Sequence, residues 1–449
     1  MFKRHYYFSD DDIIDVVLGV VAGNHFDNDP LWLYLISPPS GGKTELLMSL
    51  QMCPETYFLS DFTAASLISG YKDPEGKKSS SKGETKNESE SELSEGAEQV
   101  AMHFGDEPSD DVEPEEQKPA TPGDDDYSLL PLLNGKVLIT KDFSIIHDKP
   151  AETRSQVLAI LRDVYDGYAS RKVGNSHTKG YHSRFNYLAG MTPDIEKSWS
   201  LNTLGERFLM YRIKIDNRRE HAKRALLNAR AETTGSLAIR EELQRAVKEF
   251  MEGVERTRPD VDDDMVERIL DLSEILATCR TYVHRDKKDE IHCLPQAELA
   301  SRVSKQLLRV GQSVALVRGK SRVGEAEFSV MKRIALDSLP TNRRLLLAAL
   351  WECWDPKRNP ETGKTTVTMN PLKTFSANVT RISETSVRRE LDNLAEVGAV
   401  KRNKGQVAGE SDKKKKDGSP KLVKTTQTTY RLTDEFARYC KNVGGIPSS

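Results

Sequence analysis

LWLYLISPPSGGKTELLM, residues 31–48, decides how the rest of the chain reads. The apolar run Leu31 to Ile36 predicts a buried strand, and Glu45-Leu46-Leu47-Met48 continues a helix. Between them lie Ser37, Pro38, Pro39, Ser40, Gly41, Gly42, Lys43 and Thr44. A strand that feeds a tight turn of small residues and then a helix N-terminus aims several backbone N–H groups at one point. The helix dipole makes that point attractive to anions. Gly41 and Gly42 carry no Cβ to hold phosphate oxygens away, Lys43 offers a point charge to the outer phosphates, and Thr44 can ligate Mg²⁺. Ser37 stands where the phosphate-loop pattern begins with glycine. The expected ligands are a nucleoside triphosphate, ATP, and Mg²⁺.

The next chemical signal lies about a hundred residues on. Lys136 to Ile146, KVLITKDFSII, reads as a buried strand ending in an acidic residue. Phosphate-loop ATPases place one or two carboxylates there, one for the Mg²⁺ shell and one to polarise the attacking water. Asp142 is the carboxylate available, and it can serve either role. Lys141 occupies the place of the usual first acid. The strand Phe185 to Met191 ends at Thr192-Pro193, so Thr192 is a polar residue beside the acidic motif, placed to sense a γ-phosphate.

Between and around these signals the chain alternates helices and strands. Residues 12–23 and 45–70 predict helices flanking a strand near Thr56 to Leu59. Residues 152–166 form an amphipathic helix, and 167–184 two short strands around a turn at Gly174-Asn175 that carry Arg171, Lys172, His177, Lys179 and His182. Residues 217–255 are helical and highly charged, the pattern of a solvated helix, and further helices cover 262–280 and 295–318. Cys279, His284, His292 and Cys293 follow no zinc spacing, so no zinc site is expected.

Charge is distributed unevenly. The 449 residues carry a net charge of −3, yet residues 73–126 hold 18 Asp/Glu and 5 Lys. Residues 341–449 hold 21 Lys/Arg against 12 Asp/Glu. The acidic stretch has too few apolar residues to offset its chain entropy and is expected to be a disordered insertion at 72–126. The basic C-terminal region suggests a nucleic-acid partner. The five cysteines form no CxxC pair, no run of ~18 apolar residues exists, and the first 25 residues contain four aspartates. A soluble, cytoplasmic protein with no membrane partner is therefore expected.

The C-terminal region reads as helix, helix and β-ribbon. Helix 341–353 precedes a second helix at Ile382 to Val397, whose apolar Val387, Leu391 and Leu394 share one face. Gly398 ends it, AVKRNKG begins a strand, a basic loop follows at Lys413 to Lys416, and TTYRLT closes the ribbon. That is the outline of a winged helix, whose second helix presents Thr385, Ser386, Arg388, Arg389 and Asn393 toward a DNA groove. Lys401 and Arg402 start the ribbon and are expected to meet DNA as well.

With these parts in chain order, the sequence resembles an AAA+ ATPase, and more narrowly the ATPase and winged-helix part of the minichromosome maintenance (MCM) replicative helicases and their relatives on mobile genetic elements. The matching stretches are SPPSGGKT for the phosphate loop, KVLITKDF for the acidic motif, YLAGMTP for the sensor 1 strand, LGERF for the arginine-finger segment and ASRVSKQL for the sensor 2 helix. The resemblance implies catalytic roles for Lys43, Asp142, Thr192, Arg207 and Arg302, with Arg207 reaching a neighbouring subunit's site. It also implies a pore hairpin at 168–184, where Arg171, Lys172 and Lys179 contact DNA. Three departures stand out: Ser37 and Lys141 replace usual residues, no N-terminal DNA-binding collar is expected before the ATPase, and the insertion lies where the family often carries a helix-2 insert but is too acidic to be assigned that DNA-facing role.

The expected architecture is thus α/β: an AAA+ core at 1–71 and 127–216, the insertion, a helical lid at 217–324 and a winged helix at 325–449. The expected function is that of a DNA motor, an MCM-like helicase assembled as a hexameric homo-oligomeric ring. Alternatives of other kinds are a replication initiator or helicase loader, and an ATP-switched DNA-binding regulator.

Overall fold

The computed structural model describes residues 1–27, 29–69, 127–173, 177–196, 207–230, 236–354, 367–368, 383–414 and 420–447. The acidic insertion expected at 72–126 lies outside them, as does the hairpin turn at 174–176. In chain order the strands are β1 (Trp32–Ile36), β2 (Thr56–Phe58), β3 (Val137–Thr140), β4 (Tyr168–Val173), β5 (His177–His182), β6 (Asn186–Met191) and β7 (Phe208–Arg212). Near the C-terminus follow β8 (Val367–Thr368), β9 (Val400–Lys414) and β10 (Pro420–Leu432).

The protein is α/β. Five strands form one parallel sheet in the order β2-β3-β6-β1-β7. Every residue of β1, β3 and β6 is buried, as expected of a parallel sheet covered on both faces. The period of two sorts their side chains into two cores. Leu31, Leu33 and Leu35 point with Val137, Ile139, Leu188 and Leu209 into a core shared with helices Asp12–Ala22, Asp263–Arg280 and Ser301–Val317. Trp32, Tyr34 and Ile36 point the other way, into a core with Tyr187, Phe208 and the apolar face of helix Ala151–Tyr165. In that second core Tyr34 stacks on Phe208 with ring centroids 3.9 Å apart.

The outer edge of β7 is closed by side chains. The N–H of Met210 donates to Ser338 Oγ at 2.8 Å, and that of Arg212 to Asp337 Oδ2 at 3.0 Å. These acceptors end helix Glu325–Asp337, Asp337 as its last residue and Ser338 just after it, so that helix, read from sequence as the start of the C-terminal unit, is bonded to the parallel sheet. Asp337 is buried, and burial raises its carboxyl pKa against the pull of the Arg212 N–H and the Arg344 and Arg333 guanidiniums.

The C-terminal region contains helices Thr341–Trp354 and Glu384–Glu396, an antiparallel β9–β10 ribbon joined by β8, and helix Asp434–Asn442. Val387, Leu391 and Leu394 are buried together with Leu346, Leu350, Tyr430 and Phe436, so the apolar stripe read from sequence is the packed face. No helix among the described residues is long and apolar enough to cross a membrane.

Candidate nucleotide-binding site

The sheet order determines what meets at its C-terminal end. β6 lies between β1, which leads into the phosphate loop, and β3, which leads into Asp142. Thr192, one residue past β6, therefore falls between the two motifs. A cavity of about 540 Å³ unites them: Pro39, Ser40, Gly41, Gly42, Lys43, Thr44, Lys141, Asp142 and Thr192 all line it. Its volume lies in the ~300–1,000 Å³ range of small-molecule sites.

The loop owes its shape to small residues. Ser40 and Gly42 have φ of +62° and +83°, a left-handed geometry that turns successive N–H groups toward one side. Helix Lys43–Met48 starts immediately after Gly42. Ser37, which replaces the usual glycine, is buried, and its hydroxyl donates to Pro38 O at 3.0 Å. A Cβ on Gly41 would stand 2.4 Å from that hydroxyl, so the serine at 37 is accommodated only because 41 has no side chain.

Lys43 Nζ donates to Ser37 O at 2.6 Å. Burial lowers its pKa and the Asp142 charge pulls it back up, so the two groups sense each other across the cavity. Asp142 Oδ1 accepts the Ser144 N–H at 3.0 Å. The strand ends are pressed close: Phe143 N–H donates to Gly190 O at 2.8 Å, and a Cβ on Gly190 would lie 2.2 Å from the Lys141 carbonyl oxygen. Glycine at 190 is what lets the acidic motif sit against β6.

The remaining wall comes from segments whose role is invisible in the sequence. His5, Tyr6 and Tyr7 line the cavity, as do His221, Arg224, Ala225 and Asn228 of helix Arg218–Arg230. The 217–255 stretch, read as solvated, thus contributes to the site while burying no residue of that first helix. Asn228 Nδ2 donates to His5 O at 2.7 Å, and Arg224 donates to Lys3 O. Glu45, next to Thr44, accepts Arg240 Nη2 at 2.6 Å and Nε at 3.0 Å, and also the Tyr6 hydroxyl at 3.2 Å. Burial and the Glu45 charge push the Tyr6 pKa up to about 12. Helix Ser236–Glu252 is fastened further by Gln244 Nε2 to Met48 O at 2.9 Å.

Arg207 and Arg302 do not line this cavity. Trp32 pairs with Phe208 in register, so Arg207 is level with Leu31, at the opposite end of the sheet from the phosphate loop. Ser37 is six residues further along, roughly 20 Å at ~3.3 Å per residue. Arg207 is buried, donates to Asp166 Oδ2 at 2.9 Å, and lies 5.5 Å from the Tyr165 ring centroid. Gln306 Nε2 donates to Arg207 O at 2.6 Å and to the Tyr165 hydroxyl at 3.0 Å. Arg302 pairs with Glu298 at 3.8 Å and is near enough for its charge to lower the Arg207 pKa, after burial and against Asp166.

The other expected contacts are dispersed. In the β4–β5 hairpin Arg171 is directly opposite Lys179, and Lys172, exposed, is opposite Thr178. On helix Glu384–Glu396, Thr385, Ser386, Arg388 and Arg389 are exposed, with Arg389 Nε 3.2 Å from Asp289. Asn393 departs from expectation: it is buried, and its Oδ1 accepts Arg285 Nε at 2.9 Å. The segment carrying Arg285 and Asp289 covers that flank of the helix, so Asn393 does not face a groove. Lys401 is exposed, while Arg402 pairs with Asp392 at 2.9 Å. Cys279 is buried and Cys293 is exposed. The chain matches no protein-family model and no curated protein.

Proposed function

We propose that this chain is an ATP-dependent motor on DNA, an AAA+ ATPase similar to the MCM helicases, with sites completed between copies in a hexameric ring. The observation that carries the reading is the convergence of Lys43, Thr44, Asp142 and Thr192 on one cavity whose floor is a left-handed glycine turn. Lys43 and the loop N–H groups hold the β- and γ-phosphates, and Thr192 bonds the γ-phosphate. Thr44 and Asp142 are the oxygen donors suited to Mg²⁺, which when bound screens the phosphate charge. Asp142 also orients the attacking water.

Arg207 is far from its own phosphate loop, and to serve a neighbour's site it must first leave the Asp166 pair and the Tyr165 ring that hold it buried. An arginine supplied that way elsewhere is worth ~10³–10⁵ in rate. The helix, helix and ribbon order of the C-terminal region supports the winged-helix reading, and the charge of the ribbon supports duplex DNA as its partner. Helices Arg218–Arg230 and Ser236–Glu252, leaning on the pocket, support the lid reading.

The test is ATP turnover by wild type, Lys43→Ala, Arg207→Ala and a mixture of the two variants, with and without forked DNA. Neither variant alone hydrolyses ATP, and the mixture regains activity. Full-rate hydrolysis by a dilute monomer defeats the shared-site reading. One observation favours a second reading: with Lys141 in the first acidic place, Asp142 alone serves both metal and water, which suits an ATP-switched DNA-binding regulator of slow turnover. Strand displacement on a forked duplex separates them, since only the motor unwinds.

A further inference from the structure

A second cavity, of about 300 Å³, lies at the N-terminal end of the sheet, where Gly135 precedes β3 and Asn186 begins β6. The 6 residues of β6 separate it from Thr192, roughly 20 Å at ~3.3 Å per residue, so it is distinct from the phosphate-loop cavity. Its walls are polar and tied to one another. Asn24 Nδ2 donates to Gly135 O at 2.7 Å, and Asn134 Oδ1 accepts the Arg184 N–H at 3.0 Å. The His25 ring lies with Nδ1 2.7 Å from Ala22 O and Nε2 2.9 Å from Arg256 O. An imidazolium satisfies both of those carbonyls, a neutral ring only one.

Two arginines in the lining set its electrostatics. Arg309 is buried and held by neutral oxygens, the carbonyls of Phe26, Asp29 and Gly23 and Asn186 Oδ1. Arg184, half-buried, donates Nη2 to the same Phe26 carbonyl at 2.9 Å, and among the described residues its guanidinium has no carboxylate partner. The two charges press on each other: burial, and after it the Arg184 charge, brings the Arg309 pKa down to about 10. The carboxylates of the lining do not cancel them, since Glu55 is taken by Arg256 at 2.5 Å and Asp27 is exposed. We propose that this cavity binds a phosphate dianion, free or as the head of a small ester, with Arg184 as its main charge contact, Arg309 supplying fixed positive charge behind it and the Asn134 amide a further donor. A guanidinium meets phosphate oxygens two at a time, and a cavity this small and polar suits a small anion better than a folded partner. An anion placed there also offsets the repulsion between the two arginines.

The experiment is isothermal titration calorimetry of the full chain carrying Lys43→Ala, which weakens competition from the phosphate loop. The probes are inorganic phosphate and glycerol phosphate, at an ionic strength held constant with chloride. Each saturates one site per chain. Adding Arg184→Gln weakens binding ~10-fold or more. Adding Asp27→Asn instead removes an opposing charge and tightens binding. Circular-dichroism melts check both folds, and because Asp27 is exposed the second variant decides the matter even where the first is destabilised. A lower Kd for glycerol phosphate identifies the ester head as the ligand, and an equal or higher one identifies the free anion. Heat from neither probe, unchanged affinity in a folded Arg184→Gln protein, or no tightening by Asp27→Asn overturns the site. Binding of a phosphorylated DNA end by a chain that takes neither small probe overturns the small-ligand assignment.

Discussion

Gly190→Ala tests whether the placement of Asp142 governs turnover. The added Cβ would lie 2.2 Å from the Lys141 carbonyl oxygen and 3.1 Å from its carbon, whereas ordinary contacts begin near 3.4 Å. The obstruction is backbone, and the neighbouring Phe143 N–H to Gly190 O bond ties the same two segments together. The strand ends must therefore separate by about 1.2 Å, carrying Asp142 away from Thr192 and the phosphate loop. A displacement near 1 Å can cost ~10²-fold in rate, about 2.7 kcal/mol in the barrier. Lys43 and the loop N–H groups lie on the β1 side and keep their geometry, so nucleotide affinity is retained. Steady-state ATP turnover and titration with a fluorescent ATP analogue separate the two effects. A thermal melt confirms the fold, and Gly253→Ala, whose Cβ meets nothing closer than 3.5 Å, is the control. Wild-type kcat in a folded Gly190→Ala protein refutes the claim that this close approach positions the acid.

Further outcomes are expected elsewhere. Glu327, fully buried, has its pKa raised by burial but brought below the usual value overall by hydrogen bonds from Lys320, Arg318 and the Gly324 N–H. Its stabilising contribution is present above the ordinary carboxyl pKa of 4.5 and fades as pH falls through the lower folded value. Glu327→Gln should lower stability by about 3 kcal/mol at pH 7, and the gap in urea midpoint from wild type should close below pH 4.5. Arg309 donates to the carbonyls of Phe26, Asp29 and Gly23 from within the core. Arg309→Met removes all three bonds, although Phe26 O keeps Arg184 Nη2 and Gly23 O keeps the Phe26 N–H, and should cost roughly 3 kcal/mol, read as the denaturation midpoint. Arg388→Ala with Arg389→Ala should weaken duplex binding and flatten its salt dependence, while Asn393→Ala should alter stability and leave DNA affinity unchanged in a fluorescence-anisotropy titration.

The parts of the site legible in the sequence are those built from contiguous residues. A strand, a glycine turn and a helix start announce the phosphate loop because each is a local backbone requirement, and the run Val137 to Thr140 announces β3 by its apolar continuity. Tyr6, Tyr7, Arg224 and Asn228 were illegible for the opposite reason. They reach the cavity from remote segments, and no spacing marks a helix with no buried residue as a wall of anything. Asn393 shows the limit of helix-face reasoning. Val387, Leu391 and Leu394 correctly mark the packed stripe, but the flank beside it is covered by the Arg285–Asp289 segment, more than a hundred residues earlier. The place of Arg207 was legible as a strand start; that this strand start lies at the far end of the sheet from Ser37 follows only from the register of β1 and β7.

The closure of β7 bears on what the edge of the sheet can accept. Ser338 and Asp337 already occupy the main-chain donors that a visiting strand needs. The sheet cannot be lengthened on that side by another molecule, so it offers no template for runaway fibre growth. A molecule arriving at that edge meets side chains in place of an open ladder of main-chain groups.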